Sequence, residues 1–94
     1  MPRYEECLEK LNSFETLEDG WMQGGGVKIN IGAIGNAKNI LALLHSKENL
    51  SVFPIPNGGV QIEYFDKNEN RDYEIEIYEK YMNIDSYENI KMEG

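Results

Sequence analysis

The chain is short and strongly acidic: its 94 residues include 17 acidic and 9 basic side chains, for a net charge of −8. This length fits one domain, and a 40% share of hydrophobic residues is enough to build a single core. The charge argues against direct binding of nucleic acid or of an anionic membrane, because contacts with phosphates need lysines and arginines. We expect one domain over residues 1–94, and a partner protein with a basic surface if it binds a macromolecule.

A single cysteine, Cys7, rules out an internal disulfide. It falls on the apolar side of a predicted helix, which is typical of a buried thiol rather than a nucleophile. The first ten residues, MPRYEECLEK, contain no apolar signal segment, and no apolar run is long enough to span a membrane. These features predict a cytoplasmic protein, located in the host cytoplasm if the gene belongs to a phage.

Two segments have the spacing of amphipathic helices. The first covers residues 3–14, and its apolar side chains are Tyr4, Cys7, Leu8, Leu11 and Phe14. The second covers residues 30–45, and its apolar side chains are Ile34, Ala37, Ile40, Leu41 and Leu44. Asn30 and Asn36 are both candidates for the N-cap of the second helix. Because the second helix is the more apolar, we expect it to lie across the sheet.

Residues 15–29 separate the two helices and predict a loop. The segment is rich in glycine, at Gly20, Gly24, Gly25 and Gly26. Trp21 lies within it and has two interpretations. It either closes the edge of the core or anchors a binding partner, since tryptophan is enriched at the energetic centres of interfaces.

From residue 50 onward apolar and polar residues alternate, as they do in half-buried strands. Three strands are predicted, at residues 50–55, 60–65 and 73–79. Asn57-Gly58 predicts a hairpin between the first two, because both residues tolerate a positive φ. Pro54 and Pro56 have the same parity, so their missing N–H groups would lie on one side and place the first strand at an edge of the sheet.

Residues 80–92 fit either a fourth strand or a short helix. Their apolar residues are Met82, Ile84, Tyr87 and Ile90. Taken together, the patterns predict an α+β fold: an antiparallel meander of three to four strands with two helices packed on one face.

No arrangement of residues predicts catalysis, a cofactor or a metal ion. The residues from Asp66 to Asp72 have the spacing of a calcium loop, but Arg71 replaces its glycine and Ile77 replaces its bidentate glutamate. The segment GWMQGGG lacks both the lysine and the hydroxyl residue of a phosphate loop. His45 has no second ligand at metal-binding spacing. We therefore predict a protein that is not an enzyme and uses neither a cofactor nor a metal.

The second and third strands carry acidic residues on corresponding faces. Their apolar faces must share the core, and they consist of Val60, Ile62, Tyr64, Tyr73, Ile75 and Ile77. In every register that keeps these faces together, Glu63 lies opposite an acidic residue, which is destabilising. The outer face is then either a solvated surface or an acidic platform for a basic partner. The candidate partner-binding residues are Trp21, Glu63, Asp72, Glu74 and Glu76.

Three local patterns follow one another in the sequence: LEDGW at residues 17–21, a helix containing AKNILALL, and PIPNGGVQIEY at residues 54–64 followed by YEIEIYE. In this order they resemble a small family of bacterial and phage-borne proteins with a DGW loop, a helix and a P-x-P-D/N-G-G hairpin. The resemblance covers residues 11–79, although Met22 and Gln23 stand where that family usually has an acidic residue. It implies a fold and a biological context but no activity and no catalytic residues.

These features favour a non-enzymatic interaction protein that binds and inhibits or neutralises a protein partner. Antitoxins, immunity proteins and phage-encoded inhibitors of host defence act in this way. One alternative is a small-ligand-binding module or a minor enzyme that uses the glycine-rich loop around Trp21. Another is a housekeeping accessory subunit.

Overall fold

Two helices followed by a four-stranded antiparallel sheet make up residues 3–88, the part of the chain that the computed structural model describes. The helical elements are α1 (Arg3–Ser13), a single 3-10 turn (Phe14–Thr16) and α2 (Ile31–Leu43). The strands are β1 (Glu48–Pro54), β2 (Val60–Asp66), β3 (Arg71–Ile77) and β4 (Met82–Glu88). The strands lie in sequence order, each antiparallel to the next, which confirms the predicted meander.

The segment that the sequence left open between strand and helix is a strand, β4. Met82 and Ile84 alternate onto one face, opposite Ile77 and Ile75 of β3. Ile90, which the sequence grouped with them, lies outside the described residues.

The hydrophobic core lies between the helices and one face of the sheet, which we call the inner face. Its strand residues are Leu50, Val52, Val60, Ile62, Ile75 and Ile77, all buried. The helices contribute Cys7, Leu11, Phe14, Ala33, Ile34, Ala37 and Leu41. Helix α1 packs on β1, and α2 packs on β2 and β3. Consequently Met82 and Ile84, on the inner face of β4, remain 46% and 58% exposed.

Of the two predicted caps, Asn30 is the one that begins α2. Its side-chain oxygen accepts a hydrogen bond from the Ala33 N–H at 3.0 Å. Asn36 lies inside the helix, and its side-chain amide donates to the carbonyls of Tyr78 and Glu79, both at 3.0 Å. Asn36 therefore ties α2 to the turn between β3 and β4.

The hairpin between β1 and β2 forms where the sequence predicts it, but by a different turn. Gly58 takes a positive φ, of 97°, and Asn57 does not. The Gly58 N–H donates to the Ile55 carbonyl at 2.9 Å. Pro56 occupies the second position of this turn, and its ring restricts φ to negative values. A type I′ turn, which requires a positive φ at that position, is therefore excluded here.

Strand β1 lies at an edge of the sheet, as predicted. The Ile55 N–H donates to Gly59 across the hairpin, so the nitrogen of its neighbour Pro54 points to the open side. Pro56 lies beyond the strand in the turn, so only Pro54 removes a donor from this edge.

Two glycines of α2 provide a matched test of how closely this helix packs against the turn between β3 and β4. Gly35→Ala should raise the free energy of unfolding by about 0.5–1 kcal/mol, because alanine favours the helix and its Cβ would meet no atom within 4 Å. Gly32→Ala should lower the free energy of unfolding, because its Cβ would lie 2.7 Å from Glu79 Cγ. Urea denaturation measures both. A stabilised Gly32→Ala variant would contradict the close approach of the β3–β4 turn to α2.

Candidate functional site

Three acidic side chains lie side by side across neighbouring strands. Glu63 of β2 is opposite Glu74 of β3, and Glu74 is opposite Asp85 of β4. We call Glu63, Glu74 and Asp85 the acidic row. Directly opposite residues on paired strands lie close together, so like charges there repel. The pairing of Glu63 with an acid was predicted, but Asp85 was not, because the sequence left β4 undecided.

The acidic row lies on the outer face of the sheet, the face turned away from the two helices. The outward-facing residues of β2, β3 and β4 are Gln61, Glu63, Phe65, Asp72, Glu74, Glu76, Asn83, Asp85 and Tyr87. We call the five acids of this set the acidic face; they are Glu63, Asp72, Glu74, Glu76 and Asp85. No lysine or arginine among residues 3–88 forms an ion pair with any of them, since the ion pairs found there use other acids.

Neighbouring polar groups show how negative this surface is. The Gln61 side-chain amide donates to a Glu63 carboxylate oxygen at 2.6 Å. The pKa of Tyr87 is raised above its ordinary value, chiefly because the Glu74 carboxylate, and then that of Asp85, disfavours a phenolate beside it. Hydrogen bonds from neutral groups therefore satisfy part of the row without neutralising its charge.

A hollow of about 320 Å³ lies beside two members of the acidic row, Glu63 and Glu74. Its other lining residues are Asn49, Tyr64, Asp72, Tyr73 and Tyr87. Arg3 reaches the β1 end of the row, where its guanidinium donates to the Ser51 hydroxyl at 3.0 Å. Negative charge is therefore concentrated away from β1, over β3 and β4. Such a surface can bind lysine or arginine side chains by charge-assisted hydrogen bonds.

Trp21, the fifth predicted site residue, lies elsewhere. It packs against the helix-side core, and its indole N–H donates to the Val27 carbonyl at 2.7 Å. Its ring covers Gly26, where an added Cβ would lie 2.9 Å from Trp21 Cε2. The structure therefore brings together the four predicted acids but places Trp21 on the opposite side of the sheet.

The glycine-rich loop around Trp21 closes on its own backbone. The Gly20 N–H donates to Gly26, and Met22 and Gly25 exchange two hydrogen bonds, at 2.8 and 2.9 Å. The loop then pairs with the β1–β2 turn, as the Val27 N–H donates to Pro56 at 2.8 Å. The DGW and NGG patterns therefore meet at one end of the sheet, where small residues permit close backbone contact.

Other reactive side chains are engaged in the fold. Asp66 accepts hydrogen bonds from the N–H groups of Asn68 and Glu69, and its second oxygen accepts from Lys47 at 3.1 Å. The Cys7 thiol is buried, which raises its pKa above the ordinary value, and it donates to the Leu50 carbonyl. Within residues 3–88 no cluster of three or more acids, histidines or cysteines is arranged to hold a metal ion.

Comparisons with protein-family models, with curated proteins and with solved structures gave no significant match. The resemblance to a DGW-containing family therefore stays a prediction. In the described part of the chain, no helix has both the length and the apolar character that crossing a membrane requires.

Trp21→Ala should lower the free energy of unfolding by about 3 kcal/mol, because it removes a large ring that packs on Gly26 and the core. Trp21→Phe should cost less, since it keeps an aromatic ring and loses the hydrogen bond to Val27. Thermal and urea denaturation measure both effects. If Trp21→Ala unfolds like the wild type, the ring is not part of the core and the anchor interpretation gains support.

Glu74→Gln should raise the free energy of unfolding at low salt by up to about 1 kcal/mol, because it removes the central charge of the acidic row. The gain should shrink as salt screens the repulsion. Glu9→Gln, an exposed change on α1 with the same effect on net charge, is the control. Equal effects of the two variants would show that net charge, rather than the row, determines the result.

Proposed function

We propose that this protein binds a partner protein with a basic surface through its acidic face. The observation that carries the proposal is the acidic row: three like charges in register, on a sheet face that no element of residues 3–88 covers. Each like-charged pair is unfavourable for folding, by about 0.2–1 kcal/mol. The lysines and arginines of a basic partner would be attracted to all three carboxylates and would offset the repulsion between them.

The chemistry of the surface defines the partner. Lysine or arginine side chains would enter the hollow beside Glu63 and Glu74 and form charge-assisted hydrogen bonds there. The long-range field of a protein with a net charge of −8 would accelerate the encounter. Polar groups such as Tyr87 and Gln61 would surround these contacts and orient them.

The consequence for the partner would be occlusion of its basic surface. We therefore favour a role as an inhibitor or neutralising protein, of the antitoxin, immunity or phage anti-defence type, acting in the cytoplasm. The proposal is supported by the net charge of −8 and by the acidic face itself. It needs no catalytic group.

The test uses two variants with the same net charge. One combines Glu63→Gln with Glu74→Gln on the acidic face, and the other combines Glu9→Gln with Glu15→Gln, which are exposed on the helical side. Basic proteins captured by the wild-type chain from lysate are identified, purified and tested by surface plasmon resonance. Association should be slower by about fivefold or more for the acidic-face variant at low salt, and close to wild type for the control.

Equal association rates for the two variants would contradict the proposal, because they would show attraction to net charge alone. Tight binding that is independent of both salt and the acidic face would contradict it as well. Circular dichroism of each variant confirms that the fold is retained.

A further inference from the structure

The two edges of the sheet differ in how far they are protected from pairing with another strand. At β1, the Leu50 carbonyl accepts hydrogen bonds from Arg3 at 2.7 Å and from Cys7 at 3.2 Å, both from α1. Pro54 removes a donor from the same edge. At β4, the sequence from Met82 to Glu88 contains neither proline nor lysine, two residues that protect an edge, and its only charged side chains, Asp85 and Glu88, are acidic.

The backbone of β4 presents a regular set of groups to its open side. The Tyr78 N–H donates to the Tyr81 carbonyl at 2.9 Å, which closes the β3–β4 turn. Because bonded and non-bonded pairs alternate along antiparallel strands, the backbone groups of Met82, Ile84 and Ser86 point away from β3. Within residues 3–88 no strand pairs with this side.

The side chains beside this edge have opposite character on the two faces. On the inner face, Met82 and Ile84 are exposed, and Met82 lines a groove of about 300 Å³ together with Ile40 of α2 and Tyr81. Leu43, one helical turn beyond Ile40, is 81% exposed. On the outer face the edge carries Asp85, the last member of the acidic row.

We propose that the open edge of β4 accepts an extended segment of the basic partner as a fifth strand. This inference rests on the proposed function and adds that the partner binds through an extended segment. The alternate side chains of this segment would be apolar on the inner face, next to Met82 and Ile84, and basic on the outer face, next to Asp85. Backbone hydrogen bonds would supply affinity, and the alternation would supply specificity.

A second copy of this chain is the competing occupant of the edge, and charge argues against it. Self-pairing would bring together two chains with a net charge of −8 each. It would place the two acidic faces side by side, and the outer face of β4 offers Asp85 no lysine or arginine. A strand with basic side chains on that face removes both conflicts.

The test uses the full chain and synthetic seven-residue peptides with blocked ends. The probe is KVKVKVK, and the control is KKKVVVK, which has the same composition without the alternation. Two further versions of the probe carry N-methyl groups, either on the three valines or on three of the lysines. Strand addition uses the amides of only one of these sets, because alternate amides point to opposite sides of a strand.

NMR titration of the isotope-labelled protein at low salt measures the binding. The alternating peptide should bind about tenfold or more tightly than its control, and one methylated version should lose at least about tenfold in affinity while the other keeps it. The amides of Met82, Ile84 and Ser86 should become protected from hydrogen exchange. These results would support strand addition at β4.

Equal binding of all four peptides would overturn the proposal, and so would the absence of binding by any of them. Sedimentation as a dimer, with the Ile84 and Ser86 amides protected before peptide is added, would overturn it in favour of a second copy. Failure here is distinct from failure of the proposed function. The latter would appear as unchanged partner association in the variant that combines Glu63→Gln with Glu74→Gln.

Discussion

The pairing of Ile62 with Ile75, and of Val60 with Ile77, fixes the register on which the rest of the structure depends. All four side chains are buried under the helices, and each such burial contributes about 1.5–3 kcal/mol. A slip of one residue would turn acidic side chains into the core, where unpaired charges cost far more than the repulsion they would escape. A like-charged cross-strand pair costs only about 0.2–1 kcal/mol. The acidic row therefore persists because burial of the opposite face outweighs it.

This balance explains which parts of the molecule the sequence could predict. The alternation in β2 and β3 is local, and one buried face determines the other, so Glu63 opposite an acid followed directly from the sequence. Strand β4 did not, because its inner residues remain half exposed and its identity depends on pairing with β3. Asp85 was missed for that reason. The alternation of Met82 and Ile84 was the available signal, too short to separate a strand from a helix.

The position of Trp21 could not be predicted from the sequence for a different reason. Its loop is held by backbone hydrogen bonds, from Gly20 to Gly26 and from Val27 to Pro56. Such contacts leave little trace in the pattern of side chains, so the sequence left two interpretations of Trp21, a ring that closes the edge of the core and an anchor for a partner. The contact of its ring with Gly26 links it to the helix-side core. The two sets of predicted site residues therefore belong to different surfaces.

The placement of the helices connects the acidic face with the open edge. Two helices, each about 10 Å wide, could cover four strands spaced about 4.8 Å apart. Helix α1 instead lies far enough toward β1 for Arg3 and Cys7 to bond the Leu50 carbonyl at the edge. This displacement protects β1 and leaves the inner face of β4 uncovered. The unprotected edge is thus the one that carries Asp85. A strand added there would contact exposed apolar side chains on one face and the end of the acidic row on the other, whereas at β1 it would meet Arg3 and Pro54.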